Sequence, residues 1–230
     1  MLEVKDLRYR YPDGHEALRG VTFRVNDGEK VALVGANGSG KSTLLLLIAG
    51  ALEVKEGGIT FGGKAANVGL TFQDADDELL MPSVLEDVAF SLVAGGMSVS
   101  KAHERAVRML ESLGIAHLAQ RPPHRLSGGE KRIVSFAGVL VREPEILALD
   151  EPSAGLDPRA RRRVINFLRE TERTILLATH DLDMALDICT RAVILSDGVV
   201  AAEGKLPDLF TDREILEANG LELPLRYAML

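Results

Sequence analysis

Residues 35–42 read G-A-N-G-S-G-K-S and fit the pattern G-x-x-x-x-G-K-[ST]. They follow the apolar run KVALV and open the apolar run TLLLLI. This is the strand–turn–helix setting in which backbone N–H groups curl around a phosphate. Gly35, Gly38 and Gly40 let the chain wrap closely, and Asn37 and Ser39 complete the turn. The N-terminus of the following helix adds a favourable field for negative charge. Lys41 has the reach for the β and γ phosphates, and Ser42 has the hydroxyl for Mg²⁺. Thr43 extends the same first turn, so the expected ligands are ATP and Mg²⁺.

A second chemical group lies at residues 146–151, where the apolar run ILAL ends in Asp150-Glu151. Taken alone, such a pair reads as a helix cap or a surface acid pair. After a phosphate loop it reads differently, because ligands of an open parallel sheet sit at the C-terminal ends of its strands. Asp150 is then a metal ligand, acting through water, and Glu151 the base that orients and deprotonates an attacking water. Residues 126–130, LSGGE, form a third group, in which Ser127, Gly128 and Gly129 precede a helix that also carries Glu130. That is a second anion-favouring helix N-terminus. One ATP does not need two phosphate cradles in one chain, so the second cradle is expected to serve the ATP of another subunit.

Together these residues resemble the ATP-binding cassette of ABC transporters, over essentially the whole chain. LSGGE is similar to the family's signature motif, with Glu130 where Gln is usual. The resemblance implies further roles. Gln73, after VGLTF, matches the Q-loop glutamine that senses Mg²⁺ and the attacking water. Asp157 closes Ser153-Ala154-Gly155-Leu156-Asp157, which matches the D-loop that communicates across a dimer. His180, after TILLAT, matches the switch histidine at the γ-phosphate, and Tyr11 matches the aromatic position that stacks on adenine. On its own, a His after a strand reads as a helix cap and a Tyr before Pro as packing. The stretches RYPDGHEALRGVTF and VGLTFQDADDELLMPSVLEDVAF resemble the ATPases of energy-coupling-factor importers, which take up cobalt, nickel or vitamins. Asp74-Ala75 and Glu78 depart from that group's usual Asn-Pro and Gln.

The implied protein is the ATPase subunit of a membrane importer, at the cytoplasmic face of the membrane. It pairs head to tail with a second cassette, either a copy of itself or a paralogue. A transmembrane subunit docks on the helical insert and the Q-loop. Two other classes of protein fit these residues less well. A soluble ABC-type ATPase acting on DNA or ribosomes usually carries paired cassettes, a long coiled coil or basic extensions. A P-loop small-molecule kinase has no LSGGE.

The elements that must position these groups are legible as alternating strands and helices. Strands are expected at LEVKDLRY, VTFRV, KVALVG, GGITF, NVGLTF, EILALD, TILLAT and AVILS, with a hairpin at Asp197-Gly198. Helices are expected over 41–49, from a Ser100 cap to 113, from a Ser127 cap to 141, and over 158–170 with Asp157 as cap and Pro158 first. Thr211 and Glu214 have capping-box spacing for a short C-terminal helix. The fold class is therefore α/β, a P-loop ATPase core with a mostly parallel sheet and an antiparallel N-terminal patch. The expected organisation is a single domain over 1–230. Its core covers 1–73 and 124–210, an inserted helical subdomain 74–123, and a short tail 211–230.

Composition agrees with a globular chain. The 230 residues are 46% hydrophobic and 27% charged, and 27 basic against 34 acidic residues give a net charge of −7. That balance speaks against nucleic acid as a partner. A lone cysteine, Cys189, excludes an internal disulfide and is expected as a small buried hydrophobe. The most apolar run, residues 43–52, is about half of the ~20 residues a membrane span needs. The acidic run at Asp74, Asp76, Asp77 and Glu78 is expected to be a solvated loop rather than a metal site.

Overall fold

The computed structural model of the chain describes residues 1–63, 65–71 and 79–228. Gln73 and the acidic run from Asp74 to Glu78 lie outside the described residues. The chain divides into two compact units, one of residues 1–70, 145–151 and 172–230, the other of residues 71–144 and 152–171.

The first unit holds both sheets. β1 (Leu2–Arg10), β2 (Glu16–Val25) and β4 (Glu56–Thr60) form the antiparallel patch, in the order β2-β1-β4. The larger sheet contains β3 (Lys30–Val34), β5 (Val68–Thr71), β6 (Ile146–Asp150), β7 (Thr174–Ala178), β8 (Arg191–Ser196) and β9 (Val199–Lys205). Its order is β5-β6-β7-β3-β8-β9, and only the β8–β9 pair is recorded as antiparallel among the pairings of its described residues. β6 and β7 are buried at every position, as apolar central strands of a parallel sheet should be. The hairpin joining β8 and β9 turns at Asp197 (φ 47°) and Gly198 (φ 77°), the pair of positive φ values an Asp-Gly type I′ turn requires.

α1 (Lys41–Ile48) packs into this unit through Leu44, Leu45, Leu47 and Ile48. The same core takes Leu2, Leu7 and Val25 from the antiparallel patch and Leu33, Ala148, Leu176 and Val193 from the parallel sheet. α6 (Leu182–Ile188), α7 (Leu206–Thr211), α8 (Arg213–Ala218) and α9 (Leu225–Ala228) complete the unit. Cys189 is buried, and burial pushes its thiol pKa up.

The second unit is helical. It holds α2 (Val84–Ala94), α3 (Val99–Ser112), α4 (Gly128–Leu140) and α5 (Pro158–Glu170). Ala102, Ala106 and Leu110 form the buried stripe of α3 at i, i+4 spacing. Phe136 of α4 meets Phe167 of α5 edge to face, with ring centroids 5.9 Å apart.

Three expectations need correction. β2 starts at Glu16 rather than at Val21, and its extra residues pass through Gly20 at φ 104°. A Cβ there would lie 2.8 Å from Asp6 Oδ1, so glycine carries an irregularity that propensity alone reads as a break. The residue capping α3 is Ser98, not Ser100, because Val99 already has helical geometry. The C-terminal capping box at Thr211 does not form. Thr211 Oγ1 donates back to the carbonyls of Pro207 and Asp208, closing α7, while Asp212 caps α8 by accepting from Ile215 N at 3.0 Å. Two overlapping cap signals competed there, and the Asp212 carboxylate took the helix start while the Thr211 hydroxyl turned back to α7.

Candidate functional site

Strand register builds the site. Leu33 of β3, Ala178 of β7 and Asp150 of β6 lie side by side across three parallel strands. The next residues therefore emerge together at the C-terminal edge, where they are the phosphate loop, Thr179-His180 and Glu151. Thr179 N donates to Leu33 O at 3.2 Å, and Glu151 N donates to Ala178 O at 2.9 Å, extending the ladder one step past the strands.

The phosphate loop is tightly held. A Cβ on Gly35 would lie 2.1 Å from Leu195 O, so no other residue fits without displacing β8. Gly40 caps α1 in the left-handed region at φ 103°, where a Cβ would meet Ala17 O at 2.7 Å. Ser39 is buried, and Ala36, Asn37 and Gly38 are exposed. Lys41 Nζ donates to the carbonyls of Gly35 (2.8 Å) and Ala36 (2.9 Å) and reaches Ser39 Oγ at 3.4 Å. Its ammonium thus lies across the mouth of its own loop. Burial pulls the Lys41 pKa down, the carboxylates of Glu151 and Asp150 pull the other way, and the net position is below the ordinary value. The first turn of α1 contains no acid that would oppose an anion.

Glu151 is fixed from three sides. Its Oε2 accepts from Thr179 Oγ1 at 3.0 Å, and its Oε1 accepts from His180 N at 2.8 Å and lies 2.8 Å from His180 Nδ1. The residue is buried and its backbone has φ 46°, a conformation non-glycine residues adopt only where surrounding bonds impose it. Thr179 is wholly buried and also accepts from Asp181 N at 3.0 Å. The sequence reading missed Thr179. Its signal was a hydroxyl following the all-apolar run TILLA at the edge where ligands bind.

Tyr11 follows β1 and is brought to α1, its hydroxyl 3.0 Å from Thr43 Oγ1. Its ring meets Tyr9 edge-on and lies 18° from parallel to His15. Ser42 is exposed in the first turn of α1, and Asp150 is buried at the end of β6. These are hard oxygen donors of the kind Mg²⁺ takes. Among the described residues no cluster of His, Cys, Asp or Glu could hold a metal by itself. A hydroxyl and a carboxylate that leave most positions to phosphate and water fit Mg²⁺ beside a nucleotide, and Ser42 and Asp150 are the residues that would hold it.

In the helical unit, Ser127 and Glu130 form a complete capping box. Ser127 Oγ accepts from Glu130 N at 3.3 Å, while Glu130 Oε2 accepts from Ser127 N at 2.8 Å. The Ser127 N–H foremost holds the Glu130 carboxyl below its usual range. Gly128 is exposed with open space around its Cβ position, whereas a Cβ on Gly129 would lie 3.1 Å from Gly155 O. Asp157 is the expected cap of α5, and its Oδ1 accepts from Arg159 N (2.7 Å) and Ala160 N (2.9 Å). Gln73 lies outside the described residues.

A phosphate loop, a strand-end acid pair and a switch-position histidine on this sheet define a P-loop ATPase. The sequence profile of the ABC transporter family matches residues 18–154. The chain belongs to that family, and it is an ABC-type ATPase. A protein of Geobacter sulfurreducens, provisionally named as an ABC transporter ATP-binding protein, is 47% identical over 98% of this chain and 94% of its own length. The energy-coupling factor transporter ATP-binding protein EcfA of Methanosphaera stadtmanae is 38% identical over 97% of this chain and 86% of its own. The structure of cbiO1 from Clostridium perfringens, part of the ABC transporter complex cbiONQ, superposes with a TM-score of 0.80 at 36% identity. That match covers 99% of this chain and 97% of cbiO1. The fold is accordingly that of the ABC cassette.

Proposed function

We propose that the chain is the ATP-hydrolysing subunit of an energy-coupling-factor type importer, taking up cobalt, nickel or a vitamin. The likeness to EcfA and cbiO1 supports the importer type. The observation that carries the hydrolytic reading is the Glu151 carboxylate, held by Thr179 and His180 in line with the phosphate loop. Lys41 leaves its loop carbonyls for the β and γ phosphates of ATP, and Tyr11 stacks on the base. Mg²⁺, when bound at Ser42 and Asp150, neutralises charge on the phosphates. Glu151 orients the attacking water and accepts its proton. His180 steadies Glu151 and meets the γ-phosphate, and Gln73 senses the metal and the water. Ser127, Gly128, Gly129 and Glu130 face the ATP of a second cassette, with Asp157 at the same junction.

The transmembrane partner docks on the helical unit. Phe90 and Val93 are exposed at i, i+3 on α2, and Val99 is exposed at the start of α3, apolar side chains that a partner could cover. No helix among the described residues is long and apolar enough to cross a membrane. On this reading attachment at the cytoplasmic face runs through that partner, and a membrane protein should co-purify with the chain.

Glu151→Gln tests the reading. The amide cannot accept the water's proton, so ATP binding should persist while steady-state hydrolysis stops. ATP should then hold the variant in a closed dimer visible by gel filtration. Turnover at the wild-type rate would remove Glu151 as the base.

A further inference from the structure

The segment after α8 is tied to the helix that follows His180. Leu225 N and Arg226 N both donate to the Asp183 carboxylate, at 2.9 and 3.2 Å. Arg226 Nη2 donates to Asp187 Oδ1 at 2.7 Å, and its Nε lies 3.8 Å from Asp183 Oδ1. Asp183 and Asp187 are four apart on α6, so one guanidinium spans one face of that helix. α6 begins at its cap Asp181, the residue after His180. Upstream, Leu216 and Leu221 are buried, and the backbone of Gly220 lies against the phosphate loop. A Cβ on Gly220 would come within 3.3 Å of Ala36 Cβ. His180 and Asp181 share the walls of a cavity of about 440 Å³ with Leu221, Leu223 and Pro224.

We propose that residues 220–227 are a strap that positions His180 for hydrolysis, with Arg226 as the positioning residue that fastens it. The strap holds α6 from one side and abuts the phosphate loop from the other. His180 immediately precedes the cap of α6 and lines the cavity beside the strap, and its backbone N–H donates to Glu151. Unfastening Arg226 frees α6 to rotate its first turn, and the His180–Glu151 bond loosens. The inference rests on the hydrolytic reading of His180 and adds a control point remote from the nucleotide.

The test uses the full chain, with ATPase kinetics and amide hydrogen exchange measured on the same variants. Arg226 is half-exposed, so Arg226→Gln should fold normally. It should lower kcat about three-fold with KM for ATP unchanged, the scale of a partly exposed ion pair. The His180 amide should exchange faster by a similar factor, and Arg226→Lys should recover part of both effects. Asp187→Asn removes the same contact from the other side and should match Arg226→Gln. In a His180→Ala background, which keeps the backbone N–H and lacks only the ring, Arg226→Gln should cause a smaller further loss. Unchanged protection of the His180 amide, or an equal loss in both backgrounds, overturns the strap. Wild-type turnover in His180→Ala alone instead overturns the hydrolytic reading of His180, an outcome the amide measurement separates from the first.

Discussion

Glu151 shows how a single carboxylate is prepared before any substrate arrives. On the proposed hydrolytic reading Glu151 is the base, and Thr179 and His180 take up both of its carboxylate oxygens while the backbone sits at φ 46°. Thr179 gives the sharper test because its wholly buried hydroxyl donates to Glu151 Oε2. Thr179→Val keeps shape and burial but removes the donor to Oε2 and the acceptor for Asp181 N. We expect hydrolysis to fall about ten-fold with ATP affinity nearly unchanged, and stability to fall by about 1–2 kcal/mol, the cost of unpaired buried polar groups. Binding titrations and urea unfolding measure both. A proportionate loss of ATP affinity would place Thr179 in binding instead. The acids of β6 and the glycines of the phosphate loop were legible because their meaning is local, a run of residues read in order. Thr179 was not, because its partner Glu151 is brought to it only by the β6–β7 register.

At the scale of elements, caps separate what a motif says from what it does. Asp157-Pro158 stated the start of α5 in two adjacent residues, and the helix begins there. Thr211 had the right spacing and lost to Asp212, since spacing does not say which of two neighbouring oxygens faces the free N–H groups. Arg226 gave no sequence signal, because its ion pairs cross about forty residues to α6. LSGGE was read for its anion-favouring geometry, and the structure adds that Ser127 and Glu130 also hold α4 in a capping box. Ser127→Ala should therefore destabilise the helical unit by about 1 kcal/mol near neutral pH. Glu130 has its carboxyl pKa lowered in the folded chain, chiefly by the Ser127 N–H. Its contribution is present above the ordinary value of 4.5 and is lost as the pH falls through the lowered one. Ser127→Ala keeps that N–H and loses only the hydroxyl's donation to Glu130 Oε2 at 2.9 Å, so its deficit should shrink slightly over that acid window. Urea midpoints of both proteins across the window check this, and a deficit independent of pH would mean the hydroxyl's donation to the Glu130 carboxylate contributes nothing.

At the scale of the whole molecule, the capping role of Ser127 changes how the paired-cassette proposal must be tested. A variant at Ser127 damages α4 as well as any composite site, so its inactivity proves little. Gly128 is the cleaner position. It is exposed, it begins α4, and a Cβ there has no described atom within 4 Å. Gly128→Glu adds a carboxylate to the first turn of a helix, where the helix dipole favours it. The same carboxylate repels the γ-phosphate of an ATP presented by a second chain. The variant should fold at least as well as the parent and hydrolyse almost nothing. Lys41→Ala disables the other half of the site by removing the cation from the phosphates. In a head-to-tail pair related by a two-fold axis, each site takes its phosphate loop from one chain and LSGGE from the other. Mixing the two variants places both lesions in one site of the heterodimer and leaves its second site intact. Hydrolysis should rise on mixing to roughly a quarter of the wild-type rate per chain, since about half of the dimers are mixed and each has one working site. Normal hydrolysis by Gly128→Glu alone would show that each chain hydrolyses ATP within itself, and no recovery while tagged heterodimers demonstrably form would overturn the independent composite site.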